Sequence, residues 1–301
     1  MNGLRSKLLV YCLVLVILLI SPINSEAAYV YPVAGNQSIV VEDKFLVTIR
    51  FNTEGKTINT LEGLVGVYSS AGPVYIHELS VAGSDFSLWP SKPSLSAAKE
   101  SSSISFTGGV PNGINTDDAL VFTIALTAEN PGEIFIVPVS LTGYLNDGKG
   151  TPVSVNGNQL KMYIYKADRP PYDEWQEVVQ KDTEPPLPFS ITLGQDSSVF
   201  DNKKFISFMT TDNGSGIDHY EVTEGDRNPV RSGTTYVLQD QELEQKITVV
   251  AYDKAGNSQS ATFVTTSQNV GMFGMIVVIG IIIIFIIALI LALRKWITKK
   301  I

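Results

Sequence analysis

Residues 45–68 read FLVTIRFNTEGKTINTLEGLVGVY, and this stretch decides the fold. Phe45, Val47, Ile49 and Phe51 recur at every second position, the period of a strand that buries one face. Thr53-Glu54-Gly55-Lys56 is turn chemistry, because the glycine enters the left-handed region without a Cβ penalty. Beyond the turn, Leu61, Gly63, Val65 and Val67 alternate again. Two strands, each apolar on one side, must bury those sides against a second layer, which predicts a β-sandwich.

The same signal repeats outward from this pair. Short runs bounded by Gly, Pro, Asn and Ser predict strands at 74–81, 104–106, 120–127, 133–139 and 160–165. Eight or nine strands over about 140 residues predict a jelly-roll β-sandwich for 28–166. A second series, at 189–193, 205–210, 218–223, 234–238, 247–252 and 260–264, predicts an Ig-like β-sandwich for 189–268. Between them, Arg169-Pro170-Pro171 and Glu184-Pro185-Pro186-Leu187-Pro188 mark 167–188 as a Pro-rich linker. Its centre, with Trp175, Val178 and Val179, has room for a turn or two of helix.

The two ends of the chain read as membrane-directed. Residues 1–27 combine Arg5 and Lys7, an apolar Leu8–Ile20 run and a small-x-small site ending at Ala27, the pattern of a cleaved signal peptide. Gly271 to Leu293 contains no charge, and its 23 residues make about 34 Å of helix, enough for a hydrocarbon core of roughly 30 Å. A transmembrane helix is therefore expected over 270–293, followed by a basic tail at 294–301. Arg294, Lys295, Lys299 and Lys300 in that tail predict a cytoplasmic C-terminus and extracellular N-terminal domains, in a single-pass protein of the cell membrane.

Charge narrows the partners. Setting aside Arg5, Lys7, the four tail cations and Glu26 leaves 16 basic and 29 acidic residues, a net charge of −13. Such a surface argues against nucleic acid and against anionic lipid. The sole cysteine, Cys12, lies in the signal segment, so disulfides, cysteine zinc sites and thiol catalysis are not expected in the mature chain.

Several ordered segments carry a family likeness. FLVTIRFNTEGKTINTLEGLVGVY, then VAGSDFSLWPSKPSLS, ISFTGGVPNG, ALVFTIALTAENPGE and LNDGKGTPVSV together resemble a bacterial cohesin domain, of the divergent kind found on membrane-anchored surface proteins. The resemblance covers nearly all of 28–166. It implies a nine-stranded jelly roll related to carbohydrate-binding modules, with a dockerin-type protein as the family's best-known partner. In the second series, TDNGSGIDHYEV at 211–222 and AYDKAGNS at 251–258 resemble bacterial Ig-like repeats, which implies a stalk.

Individual residues admit two readings each. Trp89 offers either an aromatic platform for a sugar ring or, after Phe86 and Leu88, an anchor for a loop. Asp212, Asp218 and Asp253 offer carboxylates for calcium, whereas Asx-turns account for them without an ion. No resident cofactor is expected, with calcium the one candidate. Asn146-Asp147-Gly148-Lys149-Gly150 reads as a hairpin turn before it reads as a calcium loop. His77 and His219 stand far apart in sequence, no G-x-S-x-G elbow occurs, and the chain is not expected to be an enzyme. The expected function is non-catalytic binding of extracellular polysaccharide or a dockerin-type protein. The alternative is a structural envelope protein that self-associates through its sandwiches.

Overall fold

The computed structural model describes residues 27–36, 38–70, 72–95, 102–264, 278–284 and 286. The expected signal peptide up to residue 26, most of the expected transmembrane helix and the tail cations Arg294, Lys295, Lys299 and Lys300 lie outside the described residues. Residues 278–284 and 286 are helical. Among the described residues, no helix is long and apolar enough to cross a membrane. The chain divides into two compact units, with the division after Trp175.

Among the described residues, the first unit holds eleven strands: β1 (Tyr29–Ala34), β2 (Lys44–Asn52), β3 (Ile58–Ser69), β4 (Val74–Ser80), β5 (Leu88–Leu95), β6 (Ser102–Ile114), β7 (Ala119–Ala128), β8 (Gly132–Leu145), β9 (Pro152–Ser154), β10 (Asn156–Gly157) and β11 (Leu160–Ile164). One sheet has the order β10-β1-β2-β7-β4, the other β11-β8-β3-β6-β5, with β9 beside β8. The alternation expected of β2 is met: Phe45, Val47, Ile49 and Phe51 are all buried. Leu61, Val65 and Val67 of β3 face the same core. Ile104 and Phe106 of β6, Phe122 and Ile124 of β7, and Ile134 and Ile136 of β8 complete its centre.

The turn at Thr53–Lys56 behaves locally as expected. Glu54 and Gly55 both have positive φ, 47° and 74°, and Lys56 N–H donates to the Thr53 carbonyl at 3.1 Å. Its two flanking strands nevertheless belong to different sheets, so the turn carries the chain across the sandwich.

In the first unit, β1, β5, β9 and β10 escape the sequence signal, and all but β10 contain proline. β5 carries Pro90 and Pro93, and it lies at the outer edge of its sheet, where a missing N–H leaves no ladder bond broken. β1 carries Pro32, beyond the two residues that pair with β10. At the other extreme of tolerance, a Cβ on Gly157 of β10 would fall 2.0 Å from the backbone oxygen of Pro138. Gly157→Ala is therefore expected to push β10 off β8 at a cost of about 1–3 kcal/mol. A denaturation midpoint unchanged by this substitution would contradict that close approach.

The second unit contains β12 (Thr192–Gly194), β13 (Phe205–Ser207), β14 (Ile217–Glu224), β15 (Val230–Ser232), β16 (Thr235–Val237), β17 (Ile247–Asp253) and β18 (Ser258–Phe263). They form two sheets, β12-β13-β16 and β15-β14-β17-β18. Ile206, Phe208, Tyr220, Val222, Leu238, Ile247, Val249 and Ala251 make the shared core. Phe208 and Tyr220 meet edge to face, with ring centroids 5.2 Å apart.

The expected linker is shorter than 167–188. Lys44 N–H of β2 donates to the Tyr172 carbonyl, and Lys44 Nζ pairs with Asp173 at 2.6 Å, so 172–173 prolongs the first unit's sheet. On the other side, Leu187 N–H donates to the Thr211 carbonyl and Pro186 is buried, so this stretch belongs to the second unit. The helix α1 (Glu174–Lys181) occupies the centre, as the two-turn expectation had it.

Candidate functional site

The outer face of the six-stranded sheet is the first unit's best-built surface. In β3, burial of Leu61, Val65 and Val67 turns Glu62, Leu64, Gly66 and Tyr68 to the other side. Register carries that side across the neighbouring strands: Leu64 stands opposite Val139 and Ser105, Gly66 opposite Val137 and Ser103, and Tyr68 opposite Phe135. Phe135 in turn stands opposite Lys161 of β11, and Glu133 opposite Tyr163. An apolar strip of Leu64, Tyr68, Phe135, Val137 and Val139 thus lies beside a hydroxyl strip of Ser103, Ser105 and Thr107.

Gly66 explains how Tyr68 lies. A Cβ at position 66 would meet the Tyr68 ring at 2.6 Å, so the bare glycine lets that ring rest on the sheet. Tyr68 stays 46% exposed in this pose, and Val139 39%. Polar pairs border the strip. Tyr144 Oη donates to Glu62 Oε1 at 2.7 Å, and this bond to the carboxylate raises the Tyr144 phenol above its ordinary range. Lys161 pairs with Glu133 at 2.7 Å and sits 5.7 Å from the Phe135 ring centroid. A sheet face with aromatic anchors and a polar border has the make-up of a protein-binding surface.

The residues singled out from the sequence fall elsewhere. Trp89 packs on Phe86, ring centroids 6.1 Å apart, and against Gly108 in the core. Its Nε1 is buried without a hydrogen-bond partner. The ring thus packs against the core as an anchor does, while staying partly exposed on β5. Asp147 accepts the N–H groups of Lys149 and Gly150, each at 2.9 Å, which closes the expected hairpin turn. Ala27 is half-buried at the start of the described chain.

In the second unit, Asp212 and Asp253 come together, but Asp218 does not join them. Asp218 turns outward and pairs with His219 Nδ1 at 2.5 Å and Arg231 Nη2 at 3.3 Å. Its place beside the other two is taken by Asp182. Only the fold shows this substitution, because Asp182 lies 30 positions before Asp212, in the stretch that reads as linker. His77 is exposed on β4, and His219 stacks on Tyr252 with ring centroids 4.9 Å apart.

Comparison with known proteins gives one kind of match. No family model matches the chain, and no curated protein matches it by sequence. Among solved structures, the chain is similar to the cohesin module of a family 33 glycoside hydrolase from Clostridium perfringens. The TM-score is 0.37 and the identity 12%, over 47% of this chain and 100% of that one. It is also similar to a non-cellulosomal cohesin from Archaeoglobus fulgidus, at TM-score 0.32 and 12% identity, over 45% of this chain and 91% of that one. A third is the Coh-OlpC-Doc435 type I cohesin–dockerin complex from Clostridium thermocellum, at TM-score 0.34 and 11% identity, over 48% of this chain and 97% of that one. All three carry the name of the family that the sequence of 28–166 resembles.

Proposed function

We propose that this chain is a non-catalytic binding protein whose first unit holds a dockerin-type protein against the outer face of its six-stranded sheet. The observation that carries the reading is the outward-facing strip of Leu64, Tyr68, Phe135, Val137 and Val139, with Tyr68 and Val139 exposed, beside three hydroxyl residues. Central aromatic anchors of this kind supply most of the free energy in protein interfaces. The cohesin resemblance of 28–166 names the partner class. The second unit, with its sheets of three and four strands, serves as an Ig-like stalk. The anchor is the apolar run at 270–293, in keeping with helical residues 278–284, where Val278, Ile279 and Ile281–Ile284 stand exposed.

The test is a pull-down of the extracellular portion against dockerin modules and against soluble and insoluble polysaccharides. Retention by a dockerin is expected, and Tyr68→Ala is expected to weaken it about 30-fold, the loss of a central anchor worth about 2 kcal/mol. Retention on a polysaccharide that Tyr68→Ala leaves unchanged would overturn the protein-partner reading and move the site off this face. A concentration-dependent dimer in sedimentation that Tyr68→Ala dissolves would instead make the face a self-association surface.

A further inference from the structure

The second unit gathers Asp182, Asp212 and Asp253, each with a carboxylate oxygen within 4.8 Å of the others. They arrive from three segments: Asp182 just after α1, Asp212 in the loop before β14, and Asp253 at the end of β17. Asp212 is 2% exposed and Asp253 3%. Asp212 Oδ2 accepts the N–H groups of Gly214 at 3.0 Å and Gly216 at 2.7 Å. Its other oxygen, Oδ1, is buried and has no hydrogen-bond partner. A carboxylate oxygen withdrawn from water and left unpaired is costly, and two neighbouring carboxylates add like-charge repulsion. Burial foremost, opposed by the Gly216 N–H and reinforced by the charges of Asp182 and Asp253, holds the Asp212 carboxyl above the ordinary range.

Hydrogen bonds hold the other two carboxylates in place. Asp182 Oδ2 accepts the Ser215 N–H at 2.7 Å, and Oδ1 accepts the Glu184 N–H at 3.2 Å. Asp253 accepts the backbone and side-chain N–H groups of Asn257, at 2.8 and 2.9 Å. The same Asn257 amide reaches the carbonyls of Asp182 and Glu184, both at 3.3 Å. Gly214 is what admits Asp182, since a Cβ there would fall 2.3 Å from the Asp182 carboxyl carbon. Three acidic side chains are thus held together by backbone and amide donors, and one of their buried oxygens, Asp212 Oδ1, has no hydrogen-bond partner.

We propose that Asp182, Asp212 and Asp253 bind a calcium ion, which ties the segment 182–188 to the loops before β14 and after β17. An all-oxygen, carboxylate-rich shell suits calcium, which takes six to eight such ligands in flexible geometry. The ion satisfies Asp212 Oδ1 and cancels the repulsion that the fold otherwise maintains.

The full chain in detergent, stripped with a chelator, is titrated with calcium chloride by calorimetry and followed by hydrogen exchange at 182–188 and 212–217. Saturable binding with a Kd of about 0.1–1 mM is expected, the range of extracellular modules. At about 10 mM calcium, opening of these amides is expected to slow about ten- to a hundredfold, as mass action requires. Asp212→Asn and Asp182→Asn are each expected to abolish the response, and Asp147→Asn in the first unit to leave it intact. Asp212→Asn has a second signature: in chelator its amides exchange more slowly than the unsubstituted chain, because the repulsion is gone. Exchange indifferent to calcium in the unsubstituted chain overturns the site. So does a full calcium response in both asparagine variants.

Discussion

Replacing Asp43 by alanine is expected to destabilise the first unit by about 3–5 kcal/mol. Asp43 is 3% exposed, and its two oxygens accept four hydrogen bonds. Oδ2 takes the Val40 N–H at 2.9 Å and Arg169 Nη2 at 2.5 Å. Oδ1 takes the Tyr172 N–H and Arg169 Nη1, each at 2.8 Å. Alanine leaves the Val40 and Tyr172 donors without an acceptor, and it frees Arg169 along with the segment that runs on to Asp173. Hydrogen bonding to Asp43, against the opposing effect of burial, raises the Arg169 guanidinium above its ordinary range. Arg169 lies nearer the surface, so Arg169→Ala lets water replace the guanidinium and is expected to cost less than Asp43→Ala. Urea denaturation of the two variants measures both. An Asp43→Ala loss no greater than that of Arg169→Ala would show that the buried N–H groups find other acceptors.

Phe122→Ala is expected to cost a further 3–5 kcal/mol, by a different route. The Phe122 side chain, on β7, is fully buried and meets Phe106 of β6 across the sandwich, with ring centroids 5.2 Å apart and planes tilted by 59°. The pair joins the two sheets, so neither sheet collapses into the space that alanine leaves without moving a whole strand. Loss of the transferred apolar surface and of the packing around it then add. Phe122→Leu keeps most of the volume and is expected to cost under about 1.5 kcal/mol. The same denaturation experiment reads both variants, and a Phe122→Ala loss below that of Phe122→Leu would place the ring outside the packed core.

The two predictions mark different kinds of legibility. Phe122 stands within ALVFTIALTA, where apolar density announces burial, and its strand was expected at 120–127. Asp43 follows Val41-Glu42 in a turn and gives no local sign that an arginine 126 positions later will close on it. The outer face of the six-stranded sheet is intermediate. Each strand's alternation shows that Leu64, Tyr68 and Val137 point away from the core, but nothing local shows that β3 lies between β6 and β8. Trp89 stays ambiguous for a related reason: a tryptophan near a proline reads the same whether its ring packs over a glycine or stands in solvent.

What the sequence by itself determined is the all-β character, the place of the major strands and the turn chemistry. Those features depend on side-chain period and local backbone preference, which neighbouring residues express. What only the tertiary structure decided is which strands share a sheet, where proline-bearing edge strands lie, and which acidic residues meet. The turn at Thr53–Lys56 carries the chain from one sheet to the other, and Asp182 rather than Asp218 joins Asp212 and Asp253. Both outcomes follow from burial and pairing between segments remote in the chain, and those are properties of the packed whole.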